Sequence, residues 1–166
     1  MVKIKYMLIG LAILITGIWL ALHFFESEER KVKKQFALLS EWVSKDPKED
    51  SFAMARRVRS IGTLFGENCV IKTPFDSFSG RYKREEIPGY AVRGRSYFSS
   101  LDLKFYDLGI SFPEKGMADV TVTARLTGTS SAGEQVEETR ELKCILKKPE
   151  KKWLFSEIEV VEVLKR

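Results

Sequence analysis

The sequence predicts an α+β protein behind an N-terminal transmembrane helix: three helices packed on a curved antiparallel four-stranded meander, plus a short extra strand. Three observations predict it. From Tyr6 to Phe25 there is an apolar run with no Asp, Glu, Lys or Arg. From Glu26 to Ser100, apolar residues recur at helical spacings interrupted by Pro and Gly. From Leu101 to Leu164, apolar and polar residues alternate in four runs joined by short turns.

The apolar run matches the length of about 20 residues that a helix needs to cross a bilayer. It divides the 166 residues into a signal-anchor helix over 1–25 and a single α+β domain over 26–166. Tyr6 and Trp19 suit the membrane interfaces. A cleaved signal peptide is the alternative, but Ala21-Leu22-His23-Phe24-Phe25 is a poor cleavage site. Lys3 and Lys5 precede the span, and Glu26, Glu28 and Glu29 follow it directly, ahead of a basic cluster at 30–34. That order favours a single-pass protein of a bacterial inner membrane with its C-terminal domain outside the cytoplasm, although the basic cluster pulls the other way.

The net charge of +5 includes Lys3 and Lys5, and the remaining acids and bases are interspersed. This is a solvated surface and not a nucleic-acid footprint. The one histidine, His23, lies in the apolar run, which excludes most histidine catalysis and most zinc sites in the domain. Glycine-rich phosphate loops, nucleophile elbows and metal-ligand spacings are missing, so no cofactor or metal is expected.

Val32, Phe36, Leu39 and Val43 place one face of a helix over 26–45, which Asp46-Pro47 ends. A second helix is expected over 51–65, capped by Asp50 or Ser51, with Phe52, Ala55, Val58, Ile61 and Phe65 on one side and Gly66 as its stop. A short β-like run covers 69–73. A third helix over 84–100 takes Pro88 in its first turn and turns Ile87, Tyr90, Gly94, Tyr97, Phe98 and Leu101 inward.

In the first long strand, Leu101, Leu103 and Phe105 sit at odd positions, whereas Leu108, Ile110 and Phe112 sit at even ones. Such a switch of face needs an extra residue, hence a bulge at Tyr106-Asp107. Opposite charges on the outer face suggest a register with Val122 across from Arg140, Arg125 from Glu137 and Asp119 from Lys143. The last pair of strands would align Leu142 with Ile158 and Leu146 with Leu154. Ile145, Trp153, Phe155, Val161 and Val163 then form an apolar outer patch suited to a homodimer or protein partner.

This order resembles the nuclear-transport-factor-two-like superfamily, also called cystatin-like, ketosteroid-isomerase-like or SnoaL-like. The residues that carry the resemblance are Ile87, Tyr90, Tyr97 and Phe98 on the third helix, the Tyr106-Asp107 bulge, and the final strand from Lys151 to Leu164. The resemblance implies a cone-shaped fold with a pocket at its wide end, in a superfamily that includes isomerases, dehydratases, small-ligand binders and scaffold modules. Its catalytic members use a pocket acid beside tyrosines.

On this chain the candidate ligand-binding residues are Glu138, Arg140 and Glu162 on the inner face, with Tyr90 and Tyr97 two turns apart on a helix. Side chains reaching solvent, and core aromatics, are the ordinary readings of these residues. Asp107 is a second candidate base. Arg81, Lys83, Arg84, Arg93 and Arg95 make the third helix basic, either as a solvated face or as a contact for an anionic surface. Cys69 and Cys144 are read as buried thiols or, in an exported domain, a disulfide. The expected function is a membrane-anchored, non-catalytic module binding a protein partner or small ligand. The alternative is an isomerase or hydrolyase using Glu138 or Asp107 with Tyr90 or Tyr97.

Overall fold

A computed structural model describes the backbone of residues 2–74 and 78–161, and the side chains of residues 13–19, 28–74 and 78–161. The elements are α1 (Val2–Val43), α2 (Ser51–Gly62), β1 (Phe65–Lys72), β2 (Gly80–Lys83), α3 (Ile87–Ser96), β3 (Phe98–Glu114), β4 (Met117–Ser130), β5 (Gln135–Lys147) and β6 (Leu154–Val161). The six strands form one curved mixed sheet in the order β2-β1-β6-β5-β4-β3.

The α+β class and the meander β3-β4-β5-β6 stand as the sequence suggests. The sheet is not wholly antiparallel, however, because β1 runs parallel to β6 and carries β2 on its other side. The free edge of β6 offers unpaired backbone groups, and the chain leaving α2 supplies partners, beginning with Phe155 N–H donating to Leu64 O at 2.9 Å. This is why the expected short extra strand begins earlier, at Phe65.

The helices are trimmed accordingly. Asp50 caps α2, accepting from Ala53 N–H at 2.7 Å. The helix stops at Gly62, where an added Cβ would lie 3.0 Å from the Pro88 ring, so Phe65 and Gly66 belong to β1. Its buried residues are Val58, Ile61 and Gly62, whereas Phe52 is 80% exposed. Helix α3 covers only Ile87–Ser96, with Pro88 in its first turn, and Phe98 already pairs with β4.

Helix α1 lays Val32, Phe36 and Leu39 onto the sheet. The Phe36 ring meets Phe105 and Phe155 edge-on at 5.3 and 5.0 Å. The α1 backbone is helical from Val2 without a break. Among the described residues no helix is long and apolar enough to cross a membrane. The expected span over 6–25 lies largely outside the residues whose side chains are described.

The β3 bulge is present. Tyr106 pairs with Thr123 and Gly109 with Thr121, leaving one extra residue, and Asp107 takes φ 54°. The β4–β5 register differs by two residues from the charge-based expectation: Val122 faces Leu142, Val120 faces Cys144 and Ala118 faces Leu146. Apolar residues thus meet apolar ones, and Arg140 no longer faces Val122. Arg125 still reaches Glu137 at 2.8 Å, diagonally across the ladder.

Between β5 and β6 a further irregularity after Ile145 flips the face. Phe155 pairs with Leu146 and is fully buried, and Trp153 is 2% exposed. The expected outer patch therefore loses both aromatics. Ile145 and Val161 are half-buried, and Val163 lies outside the described residues.

Candidate functional site

At one end of the sheet, two turns flank the first described side chains of the α1 core face. The β3–β4 turn passes through Gly116, whose φ of 81° suits glycine, and Lys148 N–H donates to Gly116 O at 2.8 Å. That bond sets the β5–β6 turn beside it. The two turns and α1 border a side-opening cavity of about 510 Å³, walled by Phe112 and Trp153 and lined by the acids Glu28, Glu114 and Glu150 as well as by Lys115 and Lys148.

Glu28 is 5% exposed. It accepts from Lys31 Nζ at 2.6 Å, Lys148 Nζ at 2.7 Å and Trp153 Nε1 at 2.9 Å. Burial alone would raise its pKa, but the hydrogen bonds from Lys148, Lys31 and Trp153 outweigh that and bring it down to about 2. Glu28 is thus a fixed anion, and a weak proton acceptor near neutral pH. The Trp153 ring lies 5.7 Å from Phe112 and 5.7 Å from Lys148 Nζ, which sits over its face. The cavity therefore offers aromatic walls and a charged rim, and its size is that of a small-molecule site.

The sequence points to Glu28 only indirectly. It lies four and eight residues before Val32 and Phe36, in phase with the core face, so an acid there must be buried and partnered. A single alternation through the last strand points Trp153 outward, whereas the irregularity opposite Ile145–Leu146 turns it into the core.

The residues expected to form a site are dispersed. Glu138 faces Leu126 and Arg140 faces Ala124, and the two form a pair at 2.8 Å with about half of each side chain in solvent. Glu162 lies outside the described residues. Tyr90 is 49% exposed, packed on Tyr82 with Arg93 over its ring, and Tyr97 is 60% exposed against Phe98. Neither phenol converges with Glu138 and Arg140. Asp107 is exposed and serves the bulge.

The basic third helix is not one solvated face. Arg95, 2% exposed, turns inward and donates from Nη1 to the Trp42, Val43 and Ser44 carbonyls at 2.6, 2.7 and 2.6 Å, while Nη2 meets Glu49. It closes the C-terminal end of α1, where Arg57 adds a longer bond to Ser44 O at 3.4 Å. Arg84 donates to Phe65 O at 2.8 Å.

Cys69 and Cys144 are both free and buried. β6 lies between their strands, two inter-strand steps of roughly 4.8 Å each, which is beyond the reach of a disulfide. Burial pushes both thiols up to about 12. Among the described residues no group of His, Cys, Asp or Glu is arranged to hold a metal ion.

Neither the family models nor the curated proteins compared with this chain match it. Solved structures do. A scytalone dehydratase-like protein of Novosphingobium aromaticivorans superposes with a TM-score of 0.68 at 14% identity, over 83% of this chain and 85% of that one. A type 2 hexachlorocyclohexane dehydrochlorinase, LinA, gives 0.66 at 10% identity over 81% and 84%. Aln2 of a Streptomyces gives 0.64 at 12% over 82% and 91%. The fold is nuclear-transport-factor-two-like. At such identities the likeness establishes that architecture, shared with scytalone dehydratase-like and SnoaL-like proteins, and no activity.

Proposed function

We propose that this protein is a single-span, membrane-tethered ligand-binding module of the cone fold, with its domain outside the cytoplasm of a bacterium. The apolar, uncharged run before the domain supports the tether. The observation that carries the binding role is the cavity walled by Phe112 and Trp153 and rimmed by Lys115 and Lys148. Glu114 and Glu150 line it too and Lys148 is held by Glu28, so the site suits a small aromatic molecule with one polar group: the rings take the apolar body, and Lys115 takes the polar group.

Naphthoate is a suitable probe. It would be titrated into the chain carrying Trp19→Phe and Trp42→Phe, with Trp153 fluorescence as the readout. Saturable quenching that disappears in Phe112→Ala is the expected result. A signal that never saturates, or that survives the substitution, sinks this assignment. The half-buried Ile145 and Val161 on the outer sheet face are where a second copy or a protein partner would dock.

A second reading is an enzyme of the elimination or isomerisation type. The names of two structural neighbours favour it over a purely non-catalytic scaffold, since dehydratase and dehydrochlorinase both denote eliminations. Asp107 or Glu138 would serve as base and Tyr90 or Tyr97 as donor, although these groups stand apart and substrate would have to bring them together. Chloride release from hexachlorocyclohexane tests the dehydrochlorinase form directly. Turnover lost in Asp107→Asn or Glu138→Gln would support it, and chloride release no faster than in buffer would remove it.

A further inference from the structure

The cavity end of the domain is also the end from which α1 runs back toward the apolar segment. The helix is continuous from Val2 to Val43, and Glu28 lies three residues after Phe25, where that segment ends. At 1.5 Å per residue this is about 4.5 Å along the axis. Both turns are fixed at this level, because Lys148 and Trp153 bond Glu28, and Lys148 bonds Gly116 of the other turn.

These turns carry Lys115, Lys151 and Lys152, and Lys147 ends β5 beside them, all exposed. Lys152 Nζ donates to Thr63 O at 3.1 Å. Among the described residues Lys115, Lys147 and Lys151 hold no ion pair. The acids nearby are Glu114, Glu150 and Glu67, the last sharing a groove with Lys147, Lys151, Lys152 and Arg84, with Glu28 already engaged by Lys31 and Lys148. The polar layer of a bilayer extends about 5–7 Å beyond the hydrocarbon on each side. If the apolar segment fills the hydrocarbon, the turn lysines fall within that layer.

We infer that the β3–β4 and β5–β6 turns form a basic collar that rests on anionic phospholipid headgroups around the tether. This rests on the membrane-tether reading and adds to it a surface, an orientation and a lipid class. Helix α1 then stands along the membrane normal, and the Phe112–Trp153 cavity opens at headgroup level. Ammonium groups at such a surface gain from its negative potential and lose that gain in salt.

The full chain would be reconstituted in phosphatidylcholine vesicles with and without phosphatidylglycerol, washed with alkaline carbonate, and treated with an amine-reactive reagent read peptide by peptide. The expected result is retention after the wash and labelling of Lys115, Lys147 and Lys151 about fivefold slower with phosphatidylglycerol, the factor for one lysine–headgroup interaction. High salt should erase the difference. Lys48, beyond the far end of α1, should label equally in both. Retention with equal rates at the three lysines overturns the collar and leaves the tether standing. Release by the wash overturns the tether, and the collar with it.

Discussion

Glu28 shows how one buried charge ties two segments together. Its carboxylate accepts from α1, through Lys31, and from the β5–β6 turn, through Lys148 and Trp153. Unfolded, it titrates near its ordinary 4.5, and folded, near 2. Between these values the unfolded chain binds a proton that the folded chain does not. The stability from this group is therefore complete above about pH 5 and is lost as pH falls toward and through 2. The shift corresponds to about 3 kcal/mol. Thermal melts of the solubilised chain should show that decline, and Glu28→Gln should flatten it while costing about 2 kcal/mol at neutral pH for the donors left unmatched. A melt profile in Glu28→Gln that still tracks the native one below pH 5 would mean other carboxylates govern the acid limb. Arg95 is the second such residue. Arg95→Ala strips the end of α1 of a donor and leaves Glu49 with Arg57 alone, 3.1 Å away, at an expected cost of about 3 kcal/mol. Arg95→Lys should recover little in the same melts, since a single ammonium cannot reproduce a planar fork spread over three carbonyls and a carboxylate.

At the level of elements, the strands disclose themselves through the parity of their apolar positions. The switch from Phe105 to Leu108 located the β3 bulge from sequence alone, because an extra residue is the one way a pleated strand changes face. The same signature lies along β6, where Trp153 just before the strand and Phe155 within it are odd and Ile158 and Val160 even. A single parity carried through the whole run instead turns these two core aromatics outward. Parity also leaves register undetermined by multiples of two. Outer charges were then a poor arbiter, since exposed pairs contribute little and Arg125 reaches Glu137 from either register. Matching Val122 with Leu142 and Ala118 with Leu146 buries more apolar surface and decides the alignment. The β3 bulge itself makes a sharp prediction. Asp107 sits at φ 54°, a conformation that Asp tolerates and β-branched residues do not. Asp107→Gly should be neutral or slightly stabilising, and Asp107→Val should cost about 1–2 kcal/mol by chemical denaturation. Equal stability of the two variants would show that the backbone can relax out of this conformation.

For the molecule as a whole, local patterns carried the α+β class and the meander, but not the addition of β1 alongside β6, which joins segments some ninety residues apart through backbone bonds with no local signature. The candidate site suffered more than the fold. Glu28, Lys148 and Trp153 converge only once both turns and α1 are assembled, and Glu138 with Arg140 remained a solvent-facing pair. The fate of the two cysteines follows from the same strand order. A chain with β1 next to β5 would bring Cys69 within disulfide range of Cys144. Inserting β6 holds them apart, and burial raises both thiols to about 12, so that neither forms appreciable thiolate near neutral pH. The native chain, even isolated without reductant, should therefore react with neither equivalent of a colorimetric disulfide reagent at pH 8, and should release two thiols promptly in denaturant. Reducing and non-reducing gels should superimpose. One rapid thiol in the native state would mean that the β1–β6 edge opens readily, and the loss of both thiols under denaturing conditions would mean that oxidation draws β1 across β6, incompatible with the sheet order described.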